Sequence, residues 1–252
     1  MFAGFNLITD TQFEDYQKKG DAIFLENKKQ IVNELKLYID KEGNIDGSGV
    51  QAEWFPQIKA DIFISHSHKD ESKAKGLAGW LYEEYGLTAF IDSCVWGYSI
   101  GLLREIDNNY CLNEDERTFN YHKRNYSTSH VHMMLATALT MMIDKAECVI
   151  FLNTPNAVST EEIIDKTESP WIYYETVMTN LVRHKKLSEY REGIIKKSMF
   201  NEQASLNIKY NVNLDHLYEL NQDELEAWSS LYKGIQDEHP LDILYKKKRM
   251  IK

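Results

Sequence analysis

Residues 60–71 read ADIFISHSHKDE, an apolar run over Ile62–Ile64 that stops at Ser65 and passes into polar residues. A short run bounded in this way is the signature of a strand buried on both faces. Asp70 is placed to cap the helix that follows, where Ala74, Leu77, Ala78, Leu81, Tyr82 and Tyr85 share one face. Gly86 ends that helix, and TAFID at Thr88–Asp92 is a second strand. Strand, amphipathic helix and strand in succession form a βαβ unit, which implies a parallel sheet with right-handed crossovers.

The same alternation continues on the carboxyl side. A polar loop containing Cys94 and Trp96 leads to a helix near Leu102–Tyr110, and the polar stretch at Cys111–Ser129 reads as an insertion. Helix Val131–Ile143 then leads to a third strand, CVIFLN at Cys148–Asn153, and SPWIYYETVMTNLVRHKK forms the next helix. A fourth strand is expected near Ile194–Ser198 and a fifth at Leu206–Val212. Asn221 and Glu224 have capping-box spacing and open a carboxyl-terminal helix. On the amino side, Asp21–Ile39 reads as one helix, broken by the turn residues KEGNIDGSG at Lys41–Gly49. In open parallel sheets, ligands bind beyond the carboxyl ends of the strands, where the winding direction reverses. The loops after Ser65, Asp92 and Asn153 therefore form the candidate site.

A chain of 252 residues suits one α/β domain with additions. The net charge of −10 argues against a general nucleic-acid surface, and the basic KKKR at Lys246–Arg249 reads as a solvated segment. MFAGFNLITDTQ lacks the basic start and apolar run of a signal peptide. The longest helical apolar stretch, Met133–Ile143, is shorter than the roughly 20 residues a bilayer requires. Cys94, Cys111 and Cys148 are three in number and widely spaced, as expected of reduced thiols. A soluble, cytoplasmic protein that binds neither membrane nor nucleic acid is expected.

SPWIYYE at Ser169–Glu175 poses a problem of its own. A cap residue, a proline at the first helical turn and a crowd of apolar residues announce a helix, yet a carboxylate sits among them. Trp171 and Glu175 are four apart and so neighbours on one helical face. Glu175 stands either on the wet side of an amphipathic helix or in a cleft.

FISHSHKDE at Phe63–Glu71, a helix, and then FIDSCVWG at Phe90–Gly97 together resemble the bacterial TIR (Toll/interleukin-1 receptor) domain, over roughly Ile58 to Leu220. The resemblance implies a flavodoxin-like fold, with a parallel five-stranded sheet and helices on both faces. Residues 1–57 then form an amino-terminal helical segment, 58–220 the domain, and 221–252 a carboxyl-terminal helical extension. NAD-cleaving members carry a Trp-x-x-x-Glu motif at the start of the helix after the third strand, which Trp171 and Glu175 match. The implied reaction breaks the nicotinamide–ribose bond of NAD, a substrate rather than a cofactor, giving ADP-ribose or a cyclised form. The implied setting is bacterial anti-phage defence or signalling, switched on by self-association through TIR–TIR contacts, with a partner defence protein as a further possibility. The chemistry suits one carboxylate: nicotinamide is attached as a pyridinium and leaves neutral without a proton, so only the ribosyl cation needs stabilising.

Ser65, His66 and Lys69 lie in a loop leading to a helix N-terminus, where backbone donors and Lys69 could meet the pyrophosphate. Asp92 at the end of the second strand can orient its loop or meet the ribose. Trp96 and Tyr98 can stack on adenine, contact another subunit, or pack on the neighbouring helix. The loop SCVWGYSIG lacks the proline common in TIR loops. His66 and His68, with His130 and His132, form two His-x-His pairs, but no further ligand is spaced to complete a metal site, and they read as surface and loop histidines. Two other functions remain open: a non-catalytic TIR scaffold, which has no need of Glu175, and a nucleoside deoxyribosyltransferase-like enzyme using a glutamate nucleophile.

Overall fold

The structure is a computed structural model that describes residues 1–29, 35–40, 45–115, 117–158, 166–167, 169–191, 210–211, 214–234 and 238–251. The chain runs β1 (Ala3–Ile8), α1 (Gln17–Lys29), α2 (Gly47–Trp54), β2 (Ile62–Ser65), α3 (Glu71–Tyr85), β3 (Ala89–Ile91), α4 (Ser93–Tyr110) and α5 (Tyr121–Lys145). Then follow β4 (Cys148–Leu152), β5 (Lys166–Thr167), α6 (Pro170–Leu181), α7 (Leu187–Arg191), β6 (Tyr210–Asn211), β7 (Tyr218–Asn221), α8 (Gln222–Gly234) and α9 (Pro240–Lys247). Five strands form an all-parallel sheet in the order β3-β2-β4-β1-β7. Every residue of β2 and of β4 is buried. Because successive side chains point to opposite faces, both faces of the sheet must be covered.

The strands β3-β2-β4 reproduce the opening of a flavodoxin-like order, with the chain moving out from β2 to β3 and returning to β4 on the other side. The next position is filled from the start of the chain. β1 lies between β4 and β7, pairing Phe5 with Ile150 on one side and with Tyr218 on the other. Residues 1–57 are therefore not a helical segment set ahead of the sheet, since they contribute a central strand. The expected strand near Ile194–Ser198 lies outside the described residues, as does most of Leu206–Val212. Of the latter, Tyr210–Asn211 pairs antiparallel with Lys166–Thr167 in a separate two-stranded ribbon.

Helices fall into two packed groups. α1 lies against α3, and the approach is close enough to require glycine: a Cβ on Gly79 would sit 2.2 Å from the Tyr16 carbonyl oxygen. On the carboxyl side, Trp228 of α8 stacks on Tyr85 of α3 at 4.1 Å and donates its indole N–H to the Pro240 carbonyl. Trp228, Leu241, Leu244 and Tyr245 belong to the same apolar core as Phe5 and Ile64. α8 and α9 thus spend their apolar faces inside the domain. The capping box predicted there is present, with Glu224 N–H donating to Asn221 Oδ1 and Asn221 N–H to Glu224 Oε2.

The second group runs α4, α5, α6 side by side, with α2 against α4 and α5. α2 occupies part of the stretch expected to be a turn, because Asp46 accepts hydrogen bonds from the N–H groups of Ser48 and Gly49 and starts a helix there. Half of the presumed insertion is the first turns of α5, capped by Asn120. Buried Asp107 of α4 holds it down, accepting from Ser127 Oγ at 2.6 Å and from Arg124 Nε at 2.8 Å. Among the described residues no helix is long and apolar enough to cross a membrane.

Candidate active site

Sheet register sets the geometry. Ile64 pairs with Ile91, so Ser65 and Asp92 are the next residues along two adjacent strands, at the carboxyl end of the sheet and beside its switch point. α6 delivers the third group. Ser169 caps this helix by accepting from the Ile172 N–H, and Pro170 occupies its first turn. Its buried stripe is Ile172, Glu175, Thr176 and Thr179, at helical spacing. Glu175 therefore lies on the inward face, and the wet-side alternative is excluded. Tyr174 fixes the helix against α5 through hydrogen bonds to Thr140 and the Ala136 carbonyl.

Four polar groups converge. Ser65 Oγ donates to Glu175 Oε2 at 2.5 Å, and the Glu175 and Asp92 carboxyls lie within hydrogen-bonding reach of each other. His66 Nδ1 stands 2.6 Å from Asp92 Oδ1. All four residues are at most 2% exposed, so the acid is enclosed rather than presented in an open cleft. The contacts are close but poorly aligned: both Asp92 oxygens and Glu175 Oε1 are buried with no directed hydrogen bond.

Burial dominates the protonation of this cluster. It lifts the Glu175 carboxyl well above the usual range, and repulsion from Asp92 lifts it further, against the hydrogen bond from Ser65. Asp92 is raised well above its ordinary value by burial, despite Glu175 and the backbone N–H groups of His66, Asp92 and Ser93. Burial also lowers His66 to about 4, against the opposing pull of Glu175, Glu71 and Asp70. The short His66–Asp92 contact thus joins an imidazole that burial keeps neutral near pH 7 to a carboxyl whose ionisation burial opposes.

No protein-family model, curated protein or solved structure matches this chain.

Ser65, His66, Asp92 and Glu175 are the predicted site residues that the fold brings together. Lys69 does not join them: it is exposed on a short turn before α3. Trp171 is half-buried and turned toward α5, where its ring meets His132 edge-on at 5.7 Å. Trp96 lies within α4, which begins at Ser93, so the segment read as a loop is helical. Asp70 makes no cap hydrogen bond; its carboxylate accepts from Thr154 Oγ1 and Asn156 Nδ2, tying the loop after β2 to the loop after β4. The His-x-His pairs separate, with His66 buried and His68, His130 and His132 exposed. Among the described residues, Glu147, His239 and Asp242 do converge with ligand-type atoms within 4.8 Å of one another. They sit before β4 and at the start of α9, at the opposite end of the sheet from Glu175. What sequence reasoning missed is the pairing of Asp92 with Glu175, because the two are linked only through the register of β2 and β3 and the placement of α6.

Proposed function

We propose that this chain is a TIR-type enzyme that cleaves the nicotinamide–ribose bond of NAD, with Glu175 as the group that stabilises the ribosyl cation. One observation carries the reading. A glutamate on the buried stripe of α6 is held by Ser65 at the carboxyl end of the sheet, beside the switch point where such folds take ligands. Keeping two desolvated acids there costs stability, and a scaffold module gains nothing in return. Within this reading, Glu175 is the ionised member of its pair with Asp92, favoured as such by the hydrogen bond that Ser65 donates. The carboxylate then faces the positive charge that develops at C1′ as neutral nicotinamide departs. The Ser65 hydroxyl fixes the carboxylate's orientation. Lys69, exposed ahead of α3, is the contact assigned to the pyrophosphate.

The enclosed cluster must open for substrate to enter. Self-association through TIR–TIR contacts is the proposed trigger, in a bacterial defence or signalling setting. The test is to incubate the concentrated full chain, with and without a crowding agent, with NAD and to follow nicotinamide by chromatography. Glu175→Gln is run in parallel, with circular dichroism to confirm its fold. Turnover that rises more than linearly with protein concentration and disappears in the variant is the expected result. Unchanged turnover in Glu175→Gln removes this residue from the mechanism.

A further inference from the structure

Nicotinamide leaves NAD as a neutral molecule and takes no proton with it, so one anionic carboxylate suffices for that bond. The site holds two. Asp92 is fully buried against Glu175, both of its oxygens lack a directed hydrogen bond, and the basic group beside it is the His66 ring at 2.6 Å, which burial keeps neutral near pH 7. The groups facing the pair are Ser65 and His66 at the end of β2, the Ser93 backbone and Cys94 from α4, Tyr174 from α6, and Glu71 and Asp70, which act through His66. Two like charges in contact cannot both ionise in such surroundings, so the pair retains a proton. An anion next to a protonated acid is the constellation used when a glycosidic leaving group must be protonated as it departs.

We infer that Asp92 is a proton donor to the leaving group, and that the same site cleaves N-ribosides of uncharged bases, such as adenine nucleosides and nucleotides. The inference rests on the role given to Glu175 above. Asp92 transfers its proton to a ring nitrogen of the base while the C1′–N bond breaks and its electron pair goes to the base. Glu175 faces the ribosyl cation. A water molecule then forms the C1′–O bond and returns a proton to Asp92, which restores the starting pair. The sum is hydrolysis, with no reagent beyond water.

The experiment compares nicotinamide release from NAD with adenine release from AMP and adenosine, using the concentrated full chain under crowding. Wild type is expected to release both bases. Asp92→Asn is expected to lose adenine release by about a hundredfold or more, the usual contribution of a general acid, while nicotinamide release falls less than tenfold. Glu175→Gln loses both. If Asp92→Asn fails to fold, the wild-type pH profile decides: adenine release must fall as pH rises and the donor is titrated, whereas nicotinamide release must not follow it down. Nicotinamide without adenine overturns the inference and leaves the NAD reading intact. Adenine without nicotinamide supports the inference and overturns the NAD reading. Release of neither base overturns both, and equal losses in Asp92→Asn overturn the role of Asp92 as donor.

Discussion

Two regions of this molecule are equally hidden from water and are built on opposite principles. Around Trp228, burial is accomplished with rings: the indole stacks on Tyr85, meets Trp80 edge-on at 5.9 Å, and satisfies its one donor on the Pro240 carbonyl. Around Glu175, burial encloses two carboxyl groups and an imidazole whose charged forms are all disfavoured. The first region converts apolar area into stability. The second gives up stability to hold titratable groups in contact with one another. Burial alone therefore does not distinguish core from site; what distinguishes them is that the one encloses rings and the other encloses acids and an imidazole whose charged forms burial disfavours.

Substitutions can break this contrast. The largest effect is expected from Trp228→Ala, which removes a fully buried ring and should destabilise by about 3–5 kcal/mol in denaturant unfolding. NAD turnover per folded molecule should be unchanged, and a specific loss of turnover would mean that α8 serves the site. Glu175→Gln should do the reverse, lowering turnover by at least about a hundredfold while unfolding at equal or higher denaturant, because a buried acid is replaced by an uncharged amide of the same shape. A clear loss of stability in that variant would make Glu175 a structural residue.

His66 sharpens the contrast through pH. Its folded value of about 4 lies below the ordinary 6.5, so the stability gained from burying the neutral ring is complete above 6.5 and is lost as pH falls toward 4. That difference corresponds to about 3 kcal/mol. For Asp92 and Glu175, raised above their ordinary values, the sign is opposite: their contribution is complete at low pH and is lost as pH rises through the folded values. Unfolding midpoints measured across pH should show His66→Gln losing the acid-side decline alone; parallel curves for variant and wild type would remove the burial argument. The smallest effect is expected from Asp70→Asn, which weakens the tie to Thr154 and Asn156 by about 1 kcal/mol and should increase protease cleavage near residue 155. Unaltered cleavage would mean the tie contributes nothing to holding that loop.

The middle of the sheet was readable because its strands announce themselves. IFIS and CVIFL are unbroken apolar runs, as strands covered on both faces must be. β1 is as deeply buried, yet AGFNLI is disguised by Gly4 and Asn6. A Cβ on Gly4 would come within 2.6 Å of a Leu217 methyl group, which would have to move aside. β7 was overlooked for the opposite reason: it is an edge strand with only Leu220 buried. The turn residues of SCVWGYSIG suggested a loop, but Cys94 and Val95 are fully buried, and tertiary packing holds that stretch as helix. Glu175 was visible as a charge out of place. Its relation to Asp92 was not, because no local pattern records which residues meet across a strand register and a distant helix.

The central position of β1 shapes how the chain can fold. Residues 3–7 pair with residues 148–152, so β1 has no parallel neighbour until β4, far along the chain, has been made. The far edge strand then has nothing to dock on until that closure is made. Such long-range pairing makes for slow acquisition of the native sheet. In the interval, an unpaired apolar strand is open to chaperones or to the same strand of another nascent chain.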